Sequence, residues 1–273
     1  MEKIEYSGKE QKLSRFFSSE YPFFGYSYFR KLLRDGDIKI NDKRTHEDVV
    51  IHAGDVLQLY IKDKGNVFSP TVLYEDDNIV AYYKMKKVPS QGEGSFEELI
   101  HRYVDEGYIL CHRLDTNTDG ILLFAKNEKV FDEIKRIFKR KEIDKYYRAE
   151  VYGIIRESGI YKDFIVKNAD ESRVFVSADR VANSMEAILE YKPLEERENS
   201  TVIEIRLITG RTHQIRAQMA FHGHFVIGDG KYGKEEINRE FKRKTQQLTA
   251  YKLVFQVQEG FLKYLDGKEI IYR

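Results

Sequence analysis

Residues 121 to 125, Ile-Leu-Leu-Phe-Ala, form an unbroken apolar run entered through Thr118-Asp119-Gly120 and closed by Lys126. A short apolar run bounded by a glycine turn and a charge reads as a buried strand. Directly before it stands His112-Arg113-Leu114-Asp115. Asp115 therefore sits at a strand edge beside a glycine turn, where it faces a cleft rather than a core. Alone, such an aspartate would more often only cap the turn.

Two further strings narrow the reading. One is Lys145-Tyr146-Tyr147-Arg148-Ala149-Glu150-Val151-Tyr152-Gly153. The other begins Thr209-Gly210-Arg211-Thr212-His213-Gln214-Ile215-Arg216 and continues through Gly223-His224, Gly228-Asp229 and Tyr232-Gly233. In this order and at this spacing, the three strings resemble the motifs of the RluA-type pseudouridine synthases over roughly residues 71 to 273. One position departs: Asp119 stands where that family usually has serine. Another does too, since Lys84-Met85 replaces a usual Lys-Pro.

The resemblance implies an α+β fold, with a long mixed, largely antiparallel sheet and a central cleft. It assigns Asp115 to catalysis, Tyr147 to a place under the target base, and Arg216 to a pairing with Asp115. Arg113 resembles an RNA-contacting arginine, and His112 beside it is a candidate for the same role or for a structural hydrogen bond.

The assigned chemistry suits these residue types. Turning uridine into its carbon-linked isomer breaks the ribose–base bond, rotates the base, joins carbon five to the ribose and removes the proton carbon five carried. No redox change occurs, and no metal or other cofactor is required. A carboxylate can attack the anomeric carbon or stabilise charge there, as in glycosidases. In a dry cleft burial would push a carboxylate toward neutrality, and a permanently charged, forked arginine opposes that. The tyrosine ring can stack on uracil and its hydroxyl can relay a proton.

Composition excludes several alternatives. The 273 residues are 41% hydrophobic and 33% charged, enough for two soluble domains. No apolar stretch approaches the roughly 20 residues a membrane span needs, and the opening Met-Glu-Lys-Ile-Glu-Tyr is not a secretory signal. A single cysteine, Cys111, excludes an internal disulfide or a multi-thiolate metal site. If 111–112 is extended, Cys111 and His112 point to opposite faces and form no nucleophilic pair. His213, His222 and His224 match no zinc spacing. A cytoplasmic monomer acting on RNA is expected.

The net charge of only +1 is low for such a partner. RNA contact then falls to local clusters: Lys135, Arg136, Lys139, Arg140, Lys141, Lys145 and Arg148, and separately Arg239, Lys242, Arg243 and Lys244. Each could equally be a solvated helix face.

Residues 10 to 62 form a separate unit. Leu13, Phe16 and Phe17, then Tyr28, Leu32 and Leu33, recur at helical spacing, and short strands follow. Two helices and short strands resemble the small S-four-like RNA-binding domain first known from a ribosomal protein. That resemblance implies RNA-facing Arg30, Lys31, Arg34 and Lys39, with Arg15 on the first helix. Asp63-Lys64-Gly65-Asn66 reads as part of a linker spanning 63 to 70, ahead of the catalytic domain at 71 to 273. Ribosomal RNA is the favoured substrate and transfer RNA the alternative. A non-catalytic RNA-binding protein on the same fold is the competing class, disfavoured by the intact trio Asp115, Tyr147 and Arg216.

Overall fold

The computed structural model describes residues 1–21, 24, 26–61, 68–167 and 173–273, with side chains except at Ser27. The chain divides into two compact units, Met1–Ser69 and Pro70–Arg273. The polar stretch 63–66 lies outside the described residues.

The first unit begins earlier than position 10, because strand β1 (Glu2–Glu5) belongs to it. It continues with β2 (Gln11–Lys12), α1 (Leu13–Glu20), α2 (Tyr26–Arg34), β3 (Ile38–Ile40), β4 (Lys43–Arg44), β5 (Val50–Ile51) and β6 (Val56–Leu59). One sheet runs β1-β6-β3-β4, and β2 pairs with β5. Asn41 and Asp42, both at positive φ, form the two-residue turn joining β3 to β4. The buried ridge Leu13, Phe16, Phe17, Phe29, Leu32 and Leu33 joins the two helices. Arg15, Arg30, Lys31 and Arg34 lie on the helix surfaces, and Lys39 lies 5.4 Å from the Tyr60 ring centre.

The second unit is built on an eleven-stranded sheet. Its elements are β7 (Val72–Glu75), β8 (Ile79–Lys84), α3 (Phe96–Tyr103), β9 (Ile109–Leu110), β10 (Asp119–Ala125), α4 (Glu128–Arg140), β11 (Ile143–Tyr152) and β12 (Gly159–Lys167). There follow β13 (Val174–Ser177), β14 (Met185–Glu196), β15 (Ser200–Leu207), α5 (Gln214–Phe221), α6 (Glu235–Glu240), β16 (Leu248–Phe255) and β17 (Glu269–Ile271). The order is β13-β12-β14-β15-β11-β16-β10-β8-β7, with β17 added to β16 and β9 to β10. All its pairings are antiparallel except β10 with β16, so the sheet is mixed and largely antiparallel.

Local chemistry accounts for the elements nearest the site. Asn127 caps α4, its side-chain oxygen accepting from Val130 N at 3.0 Å. Val130, Ile134 and Ile137 then face a core shared with Ile121, Leu123 and Phe255. The parallel β10–β16 contact is so close that a Cβ on Gly120 would lie 2.1 Å from the Ala250 carbonyl oxygen, and φ there is +119°. Only glycine can end the Asp115 turn in this way.

Candidate active site

A cleft of about 600 Å3 opens on the second unit, lined by the 112–118 loop, β11 and the start of α5. Asp115, Tyr147 and Arg216, separated widely in sequence, meet there. Asp115 Oδ2 accepts from an Arg216 terminal nitrogen at 2.7 Å. Its Oδ1 accepts no hydrogen bond from the described residues, and His213 Nε2 stands 4.0 Å away. The carboxylate thus has one oxygen anchored and one open to the cleft.

The loop that presents Asp115 is clamped at several points. Ser90 Oγ donates to the Leu114 carbonyl at 2.8 Å and accepts from Leu114 N at 2.9 Å. Thr118 N donates to the Asp115 carbonyl at 3.0 Å, closing the turn. Gln246 donates to Thr118 Oγ1 at 2.6 Å. Beneath the loop lies Lys84, fully buried at the end of β8. Its ammonium donates to the carbonyls of Met85 (3.1 Å), Val88 (2.8 Å) and Thr116 (3.3 Å). The turn that follows Lys84 without a proline is therefore closed by the lysine itself. Burial pulls its pKa down to about 8, against the nearby Asp119 and Asp115 carboxylates.

Arg216 is held from behind. Its Nε donates to Asp229 Oδ2 at 2.6 Å and a terminal nitrogen to Asp229 Oδ1 at 3.0 Å. Asp229 in turn accepts from the backbone of Lys231 (2.8 Å) and Tyr232 (3.1 Å). Burial opposes the charge on both groups. For the arginine the two carboxylates outweigh it and raise the pKa. For Asp229 the arginine and the two backbone N–H groups outweigh it and lower the pKa. The turn before α5 is locked by Gln214, whose oxygen accepts from Thr209 Oγ1 (2.8 Å) and Arg211 N (3.0 Å).

Tyr147 is largely buried, with its ring on the cleft wall. Burial first, and the Asp115 charge second, raise its pKa. Its hydroxyl therefore stays protonated across the physiological range, and it has no hydrogen-bond partner among the described residues. Arg113 is exposed on the cleft. His112 also lines it, but its Nε2 accepts from Leu123 N at 3.3 Å. Burial and the charge of Lys145 lower its pKa to about 3. The ring is a neutral brace between loop and strand. Cys111 packs instead against the core behind β10, in a segment that is not strand.

Asp119 does not point outward into the turn, as an exposed turn residue would. Its oxygens accept from Thr249 Oγ1 (2.7 Å) and the Tyr83 hydroxyl (3.0 Å), and Lys86 Nζ lies 3.9 Å away. The parallel register that sets Asp119 against Thr249 draws it inward. Sequence reasoning missed Ser90, Lys84, His213, Asp229 and Lys231 as parts of the site, and placed Lys145 only within a basic cluster. His213 had a signal, its place within the Thr-Gly-Arg-Thr-His-Gln-Ile-Arg string. It caps α5 at φ +51°, and burial lowers its pKa. His222 pairs with Asp163 and His224 with the Tyr152 carbonyl, away from His213. Among the described residues no group of three or more His, Cys, Asp or Glu could hold a metal ion. No helix among them is long and apolar enough to cross a membrane.

The basic clusters divide. On α4, Lys135 pairs with Asp132, Arg136 with Glu133, and Arg140 with Glu142 and Glu259. In the cleft, Arg113, Lys145, Arg211 and Arg216 face a single lining carboxylate among the described residues, Asp115.

This arrangement has a match among known families. The RNA pseudouridylate synthase family model covers residues 78–221, more than half of the chain, and the chain belongs to that family. It is similar to an RNA pseudouridine synthase of Aquifex aeolicus, 29% identical over 252 residues, covering 83% of this chain and 78% of that one. It is also similar to ribosomal large subunit pseudouridine synthase C of Vibrio parahaemolyticus, 28% identical over 260 residues, with 87% and 80% covered. The fold matches human RNA pseudouridylate synthase domain containing 1 with a TM-score of 0.62 at 24% identity, covering 75% and 89% of the two chains.

Proposed function

We propose that this pseudouridine synthase acts on uridines in structured ribosomal RNA, with Asp115, Tyr147 and Arg216 as its catalytic residues. One observation carries the reading. Asp115 keeps one oxygen free toward the cleft while Arg216, itself fixed by Asp229, holds the other. Such a carboxylate is oriented and charge-balanced without being consumed by its partner.

Asp115 Oδ1 acts at the anomeric carbon of the target uridine as its bond to N1 breaks. The uracil turns over the Tyr147 ring and bonds to the ribose through C5. The C5 proton then leaves and N1, freed from the ribose, takes one up, so atoms and charge balance without an external reactant. The protonated Tyr147 hydroxyl, unpartnered among the described residues, is available to relay a proton. Arg113 contacts the RNA at the cleft, while His112 serves the loop. The relatives named for the large ribosomal subunit support ribosomal over transfer RNA. The first unit acts as an S-four-like RNA-holding domain through Arg30, Lys31, Arg34 and Lys39. The enzyme works as a cytoplasmic monomer without a metal.

Asp115→Asn tests this. It keeps shape and hydrogen bonding but removes the charge and the nucleophile. No pseudouridine is expected from the folded variant, read by chemical tagging of ribosomal RNA from cells with and without the wild-type chain. Near-normal turnover in the variant would end the assignment.

A further inference from the structure

Lys145 stands apart from Arg216, Lys84 and Arg211, its basic neighbours in and under the cleft. It projects from β11 onto the same wall as Tyr147, two residues further along. The side chain is half-buried, yet the ammonium has no carboxylate partner and no hydrogen bond among the described residues. The centre of the Phe138 ring lies 5.8 Å from it. Burial alone lowers its pKa, with no carboxylate to offset it. By contrast, Arg216 is bound by two carboxylates, Lys84 by three carbonyls and Arg211 by the Glu186 carbonyl.

The space in front of this ammonium is kept open. Gly210 faces it, and a Cβ there would come within 3.2 Å of Lys145 Nζ. A partly desolvated charge left without a counter-ion among the described residues is destabilising in the free protein. The fold sustains it at a point where an incoming anion would relieve it.

We propose that Lys145 binds a backbone phosphate of the RNA next to the target uridine. The proposal rests on the reading of Tyr147 as the wall beneath the target base. Side chains two residues apart on one face of a strand are separated by roughly 7 Å, within the reach of one nucleotide from its base to a flanking phosphate. A full, uncompensated charge suits a phosphate better than a neutral base carbonyl. Lys145 is thus a substrate-positioning residue that takes no part in bond making.

The test uses the full chain and a uridine-containing RNA hairpin, with binding rather than turnover as the primary readout. Lys145→Met is expected to weaken binding on the order of tenfold, the scale of one charged hydrogen bond. It should lower the salt slope by roughly 0.7 to 0.9, the release from one neutralised phosphate. Its Tm should stay level or rise, because an unpaired, half-buried charge has gone. Gly210→Ala, which crowds the ammonium and keeps the charge, should weaken binding in the same direction. Replacing hairpin linkages singly by uncharged methylphosphonates should reveal one linkage, beside the modified uridine, whose neutralisation weakens the wild type and leaves Lys145→Met unaffected. An unchanged affinity and slope in Lys145→Met would overturn the proposal, as would a lower Tm with an unchanged slope. A wild type that binds the hairpin with the expected Lys145 dependence but forms no pseudouridine in any RNA would overturn the catalytic reading instead.

Discussion

Helix α4 and the cleft are both rich in basic residues, but they meet carboxylates in different measure. Along α4 each of Lys135, Arg136 and Arg140 lies within 4 Å of a carboxylate. In the cleft Arg113, Lys145, Arg211 and Arg216 share one lining carboxylate among the described residues, with Asp229 behind it. A chain of net charge +1 therefore presents a concentrated positive region to its substrate. Counting lysines and arginines along a sequence cannot separate the two regions. Whether a carboxylate faces each one is a property of the fold.

The largest effect should come from the arginine that links the Asp115 carboxylate to the scaffold. Arg216→Lys keeps a charge but cannot hold Asp115 and both oxygens of Asp229 at once. The rate is expected to fall on the order of a hundredfold or more. Asp229→Asn should lose rate in the same direction through Arg216, with RNA affinity little changed. A hundredfold loss of affinity at normal turnover would move Arg216 from the catalytic to the binding side of the cleft.

Lys84 comes next. Lys84→Met leaves the Thr116 and Val88 carbonyls without their donor, at a cost of about 1–3 kcal/mol for each buried group left unpaired. The Asp115 loop should loosen, and turnover should fall more than affinity. The pH dependence has a definite sign. The folded pKa of about 8 lies below the ordinary value of 10.5. Above pH 8 the unfolded chain holds the extra proton, so this lysine makes stability rise with pH up to about 10.5. Thermal melts of wild type minus Lys84→Met should show that rise, and a flat difference would remove the depressed pKa from the account. Asp119→Ser removes one of the carboxylates that sustain the Lys84 charge, so the rise should begin at a lower pH in that variant.

In the first unit, Arg30, Lys31 and Arg34 are expected to contribute affinity without chemistry. Their joint replacement by alanine should lower the salt slope by roughly 0.7 to 0.9 for each phosphate no longer neutralised, with turnover at saturating RNA unchanged. An unchanged slope would make the unit a protein-docking module.

Much of the site was legible because its chemistry lies in contiguous strings. Asp115, Tyr147 and Arg216 each carry neighbours that fix a turn, a strand or a helix start. Gly120 and Asn127 announce their backbone roles by residue type. What the sequence hid were the supports. Ser90, Lys84 and Asp229 gain meaning only when β8 and the 228–232 turn are folded against the loop and α5. The inward turn of Asp119 was hidden for the same reason, since it depends on a parallel pairing with a strand more than a hundred residues away. β14 was equally hard to read, because its exposed and buried residues alternate only over part of its length.

The smallest expected effect tests the opening contrast most directly. Lys135 and Asp132 are both more than half exposed, at 3.5 Å. Such a pair is worth about 0 to 1 kcal/mol, and its mutual screening leaves little field at a distance. Lys135→Ala should therefore change neither Tm by more than a few degrees nor the salt slope for RNA. Arg136→Ala exposes more, because its partner Glu133 is buried and keeps only the longer Arg140 contact at 3.8 Å. Tm should fall modestly there, again with the slope intact. A slope that dropped by a full phosphate in either variant would mean that RNA displaces the carboxylates and recruits α4. The positive surface would then extend beyond the cleft, and compensation in the free protein would no longer mark which charges meet the substrate.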